Sequence, residues 1–169
     1  NVKKLIVRVF EINTFNFYSR NLHPVNTAIN LDGLAATREQ AYNYDERPLR
    51  RIERNFNFPE LKKRGVYVVE FIGNGRSSRA LISKGNLRVL EDTGSAGHEF
   101  RVLDEDNKAC PQATLWLSGN EYKADKDGLI VVPFSNRPGR QTIVLRNGGF
   151  SALANFVHQN ETYSLDAGI

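Results

Sequence analysis

The rhythm of the second half of the chain constrains its fold most. From His98 onward, short runs such as "HEFRVLD", "ATLWLS", "LIVVPF", "QTIVLR" and "FSALANFV" are separated by "EDNKACP", "SNRPGR" and "NGG". Strand-like runs of β-branched and aromatic residues, punctuated by turn signals roughly every eight to twelve residues, predict a β-sandwich. "GNEYKADKDG" fits a hairpin region, and "ETYSLDAG" closes the set. No segment carries an apolar stripe long enough for a three-turn helix, which excludes a helical bundle or a doubly wound fold.

The first half opens on "KKLIVRVFEIN", in which Leu5, Val7, Val9 and Glu11 alternate with Ile6, Arg8, Phe10 and Ile12, as in a strand with at least one well-buried face. The residues that follow, to Pro48, lack either periodicity. They read as a long connection with a short helical turn near Leu31 to Ala36, pinned by Phe15, Phe17, Tyr18, Tyr42 and Tyr44. "ELKKRG" is compatible with a helix ended by Gly65. The Gly73-Asn74-Gly75 element between Val66 to Ile72 and Arg79 to Ser83 is the strongest hairpin signal in the chain. "NLRVLED" adds a strand, and "TGSAGH" has no apolar anchor, so a module boundary is expected within residues 84–97. The expected fold class is all-β: two consecutive β-sandwich modules of the Ig-like or macroglobulin-like kind, residues 1–90 and 97–169, with little helix.

Composition narrows the function classes. Of 169 residues, 40% are hydrophobic and 25% charged, as in soluble globular proteins, and no apolar run reaches the roughly 18 residues of a membrane-spanning helix. The chain begins at Asn1 and holds no Met, so it is expected to be a mature segment or a piece of a longer protein. Its one cysteine, Cys110, rules out an internal disulfide framework and a cysteine-rich zinc site. The net charge of +4 is concentrated in "RPLRRIERN" and "KKRG". Glu46 flanks and Glu53 interrupts the first tract, which favours a solvated edge strand guarded by charges over a nucleic-acid surface.

Candidate chemistry is sparse. "DKDG" places Asp125 and Asp127 before Gly128, but a calcium loop of the EF-hand kind would need an oxygen ligand where Lys123 stands and Glu where Phe134 stands. An Asp-Gly turn explains the stretch better. "LDEDNKAC" repeats the theme with Asp104 and Asp106, so Asp104, Asp106, Asp125 and Asp127 are the only candidate metal ligands, and only if the two loops meet. "GNGRSSRA" lacks the Gly-Lys-Ser/Thr and following helix of a phosphate loop. His23, His98 and His158 are far apart, with no ligand-like spacing. No catalytic or cofactor-binding residue emerges. Trp116, in phase with Thr114 and Ser118 and out of phase with Leu115 and Leu117, and Tyr122 are candidate stacking groups for a carbohydrate or protein ligand.

"HEFRVLDEDNKACPQATLWLSGNEYKADKDGLIVVPF" resembles the carboxypeptidase-regulatory-like, prealbumin-type sandwich over roughly residues 98–146. Asp125, Asp127 and Gly128 match that family's turn and Ala113 its small residue between the sheets, whereas Gln112 stands where the family usually has Gly. "RGVYVVEFIGNGRSSRALISKGNLRVLED" is similar, more loosely, to the macroglobulin-type sandwich of bacterial alpha-2-macroglobulin-like proteins. The resemblance implies a non-catalytic scaffold or interaction segment of a large protease-trapping-type protein, since Cys110 sits in Ala-Cys-Pro and not in that family's thioester motif. The expected partners are neighbouring domains of the same chain or a protein ligand, without nucleic acid, membrane insertion or cofactor. The expected location is extracytoplasmic: periplasmic, cell-surface or secreted. A free-standing sandwich binding carbohydrate or protein is the second reading, and a metal-dependent hydrolase the third.

Overall fold

The computed structural model describes residues 2–47 and 51–162. The described residues are nearly all-β, with eleven strands in three antiparallel sheets and one short helix, as in Ig-like sandwich modules. The chain divides into two compact units, residues 1–13 with 25–84 and residues 14–24 with 85–169. "TGSAGH" is the tip of a hairpin within the second unit.

The first unit is built on a sheet in the order β2-β1-β3-β4, comprising β1 (Lys4–Ile12), β2 (Arg38–Asn43), β3 (Gly65–Gly73) and β4 (Arg76–Lys84). Alternation along β1 and β3 sends Val7, Val9, Tyr67 and Val69 to one face, where they are buried with Leu61 and flanked by Leu5, Tyr42, Phe56, Phe58, Phe71 and Ile82. Removing each buried valine from water stabilises the unit by about 1.5–3 kcal/mol. On the opposite face Glu70 is buried, and its cross-strand partner Arg79 lies 3.0 Å away. Arg79 also donates to the carbonyls of Ile29 at 2.8 Å and Thr27 at 3.4 Å, tying down the segment that carries buried Val25 and Leu31. A buried carboxylate is tolerated here because it is paired. β3 and β4 join through Asn74 (φ 51°) and Gly75 (φ 70°), the two left-handed residues that a tight hairpin turn requires.

Three local expectations fail in this unit. "ELKKRG" forms no helix; Gly65 starts β3 and is buried, where a Cβ would press on the Tyr67 ring at 3.3 Å. Residues 31–36 contain a turn and no helix. The tract expected as an edge strand runs over residues 51–58 outside any strand or helix, with Phe56 and Phe58 packed on the apolar face; residues 48–50 of that tract lie outside the described residues. The sheet's edge strands are β4 and β2, the latter hidden in the sequence because its residues, "REQAYN", are mostly polar.

The second unit is a sandwich of β11-β10-β7-β8 on β5-β6-β9, with β5 (Leu87–Gly94), β6 (Gly97–Asp104), β7 (Thr114–Leu117), β8 (Asn120–Lys123), β9 (Ile130–Val132), β10 (Gly139–Asn147) and β11 (Phe150–His158). Phe100, Leu115, Ile130, Val132, Ile143 and Leu145 are fully buried between the sheets, with Ala113 and Cys110 among them. The helix α1 (Thr14–Asn21), which sequence periodicity did not reveal, belongs to this unit. It ends where Leu22 adopts φ 53° and Asn21 caps the Phe17 carbonyl at 2.8 Å. α1 lies on β10 and β11: the Ser151 N–H donates to Thr14 Oγ1 at 3.2 Å, and the Arg146 guanidinium stands 4.9 Å over the Phe15 ring. "ETYSLDAG" falls mostly outside the described residues.

Candidate functional site

The acidic loops have the same internal structure. Asp104 Oδ1 accepts the N–H groups of Asp106 at 3.0 Å and Lys108 at 2.9 Å. Asp125 Oδ1 accepts those of Asp127 and Leu129, both at 2.9 Å. In each loop the residue three places on, Asn107 (φ 64°) or Gly128 (φ 75°), takes the left-handed conformation. The amide of Leu129 foremost, then that of Asp127 and the charges of Arg101 and Lys126, hold the Asp125 carboxyl below its usual range. These two carboxylates thus organise their own turns. Asp106 and Asp127 remain exposed, and no group of three or more His, Cys, Asp or Glu among the described residues is arranged to hold a metal ion.

Trp116 and Tyr122 do not form one platform. In the β7–β8 ladder Trp116 is opposite Glu121, whereas Tyr122 is opposite Leu115, which is fully buried. Directly opposed residues share a face, so the two aromatic side chains point to opposite sides of the sheet. Tyr122 packs against the sandwich core, and Trp116 is half-buried on the face that also carries Arg146 and Val144.

Histidine 98 carries an organising role that spacing in the sequence did not signal. It is fully buried among Phe100, Phe134, Phe156 and His158. The Gln159 N–H donates to Nε2 at 3.0 Å, which makes Nε2 the acceptor and leaves the Nδ1 proton for Glu91 Oε1 at 3.2 Å. His158 Nε2 bonds the Pro133 carbonyl at 2.8 Å. The cluster joins β5, β6, β9 and β11 at one end of the sandwich. The fully buried His98 ring has both nitrogens engaged by protein groups, as in a structural network.

Two concavities of the first unit are open to a ligand. One, of about 320 Å³, is lined by Tyr42, Tyr44, Arg54 and Phe56. Its cation is already engaged, since Arg54 pairs with Glu46 and lies 3.5 Å over the Tyr44 ring. The other, of about 630 Å³, lies where β1 begins and the β3–β4 hairpin turns. Val2, Leu5 and Phe71 give it an apolar floor, and Asn74, Arg76 and Ser78 line it as well. The register puts Leu5, Phe71 and Ser78 on one sheet face. Residues 56–61 cover that face as far as Phe56, whose ring is 5.2 Å from that of Phe71; beyond Phe71 it is open.

The unit around this concavity is basic. It has 14 Lys and Arg against eight Asp and Glu, a formal +6, whereas the second unit has nine against 11, a formal −2. The mean charge of the whole chain hides that asymmetry.

Comparison with known proteins gives this architecture a context. Over 176 aligned residues the chain is 41% identical to actin-binding protein F of Dictyostelium discoideum; all of the chain is covered, and it spans 7% of that protein's length. That relative overturns the expected periplasmic, cell-surface or secreted location, because it is named for binding actin, a filament of the cell interior. The MG0-NIE-MG1 segment of Escherichia coli alpha-2-macroglobulin shares the fold, with a TM-score of 0.52 at 14% identity over 92% of this chain and 55% of that one. The amphioxus IgVJ-C2 molecule aligns over 94% of this chain and 90% of that one at 10% identity, with a TM-score of 0.28. No helix among the described residues is long and apolar enough to cross a membrane. Residues 5–85 match the model of the AbpF first immunoglobulin-like domain, in keeping with the Ig-like sandwich fold of the chain.

Proposed function

We propose that the chain is a non-catalytic, immunoglobulin-like interaction segment of a long actin-binding-type protein, and that its basic first unit engages filamentous actin. The observation that carries this reading is the 41% identity to actin-binding protein F along the full length of the chain. Two features support it. The first unit combines a formal +6 with an open apolar concavity, a combination suited to a protein partner. The polar groups of the two Asp loops and of His98 are engaged with backbone and neighbouring side chains, as structural groups are.

The protease-trapping setting drawn from the macroglobulin resemblance has fold likeness alone behind it. The prealbumin-type assignment of the second module rests on the "DKDG" turn and Ala113, and is kept as a reading of that sandwich's lineage. Co-sedimentation tests the function: the chain is expected in the pellet with filamentous actin and in the supernatant without it. Equal distribution with and without filaments would remove the reading.

A further inference from the structure

We infer that the 630 Å³ concavity at the hairpin end of the first unit is the docking site for an acidic protein surface that presents an apolar side chain. This rests on the proposed function and names the surface through which it would act.

The site combines three properties. Its floor is apolar and accessible: Leu5 and Phe71 are half-buried and Val2 is exposed, although all three are large enough to belong in a core. Val2 crosses the end of the hairpin because residue 73 is Gly; a Cβ there would come within 2.7 Å of Val2 Cγ1. An apolar floor without a cover favours the seating of an apolar side chain from outside.

The cations around it are uncommitted. Arg76 lines the concavity, and Lys3, two residues before Leu5, belongs to the same end of the sheet, where its carbonyl accepts the Tyr44 N–H at 2.8 Å. The Arg76 and Lys3 side chains are exposed, and neither makes an ion pair among the described residues. Arg8, Arg38, Arg54 and Arg79 of the same unit each have a carboxylate partner. Asp45, next to Tyr44, is an exposed acid and leaves the local balance positive. Unpaired cations beside an apolar floor complement carboxylates flanking an apolar group, and rim charges of this kind set encounter rate and partner choice.

The walls are short and polar. Ser78 lies on the same face as Phe71, opposite it in the β3–β4 ladder, and is exposed. It leaves room that a larger side chain would fill.

The test uses the whole chain with filamentous actin as the probe. Arg76→Glu reverses a rim charge, Ser78→Trp fills the space, and Lys126→Glu, in the exposed loop of the second unit, makes the same charge change elsewhere. Melting temperatures show that each variant folds. Wild-type binding weakened about tenfold or more by R76E and by S78W, but not by K126E, is the expected result. Binding by wild type that R76E and S78W leave unchanged overturns this site while the proposed function stands. Equal weakening by R76E and K126E reduces the effect to net charge and also overturns it. No binding by wild type overturns the proposed function and this inference together.

Discussion

Asp104 and Asp125, 21 residues apart, close their loops with the same set of bonds. The N–H of each Asp donates to the carbonyl four residues on at 2.9 Å, its carbonyl accepts the N–H three residues on at 3.1 Å, and its Oδ1 accepts two more amides. The Asp-x-Asp pattern that looks like half a cation site is a backbone-capping device used twice in one sandwich. Calcium at millimolar concentration is therefore expected to leave the melting temperature unchanged; a clear upward shift would reinstate a cation role. Asp104→Ala, which strands two amides beside a buried position, is expected to cost about 1–3 kcal/mol in urea unfolding. Asp125→Ala, in an exposed loop, is expected to cost less.

The depressed Asp125 pKa fixes the sign of a pH effect. Its carboxylate is bonded in the folded state and free in the unfolded chain, so its contribution is complete above the ordinary Asp value, about 3.9. The contribution is lost as pH falls below that value through the lower folded-state pKa. An NMR titration of the Asp125 carboxyl should show a midpoint below that of an unstructured Asp. Asp125→Asn should flatten the acid limb of the stability curve, and an unshifted midpoint would contradict the bonding described.

At residue 98 the sandwich depends on a side chain with an acceptor on one ring nitrogen and a donor on the other. His98→Phe keeps an aromatic ring but leaves the Gln159 amide and the Glu91 carboxylate without their partner. The expected loss is about 2–4 kcal/mol. A variant as stable as the wild type would show that these bonds are replaced by solvent at no cost.

Gly97 sits at φ 141°, and a Cβ there would fall on the Val132 carbonyl oxygen and within 2.9 Å of Pro133 Cα. Both atoms are backbone, so the β6–β9 pairing must open to admit a methyl group. Gly97→Ala is expected to destabilise the second unit by more than about 2 kcal/mol, whereas Gly75→Ala, with nothing within 4 Å of its Cβ, should pay only backbone strain. Thermal melts of the two variants compare these costs.

How much of this was legible depended on whether information was local. The β3–β4 hairpin could be read from Asn74-Gly75 because turn chemistry and strand periodicity coincide there. The second sandwich could be read because Phe100, Leu115, Ile130 and Ile143 lie in strands bounded by turns. β2 and α1 were not legible: "REQAYN" becomes a strand by pairing with β1, and "TFNFYSRN" becomes a helix by lying on β10 and β11. The alternation of Trp116 with Leu115 and Leu117 correctly gave its phase, but only the β7–β8 register reveals that Tyr122 faces the other way. The role of His98 depends on Glu91 and Gln159, and that of the first unit's concavity on Val2 meeting Gly73; neither leaves a local pattern.

Saturation binding of the whole chain to filamentous actin by co-sedimentation, repeated across a range of salt concentrations, tests the central claim most directly. Saturable binding that weakens as salt rises is the expected result, because the first unit's charge contributes to it. A chain that stays in the supernatant at every filament concentration and every salt would contradict the account.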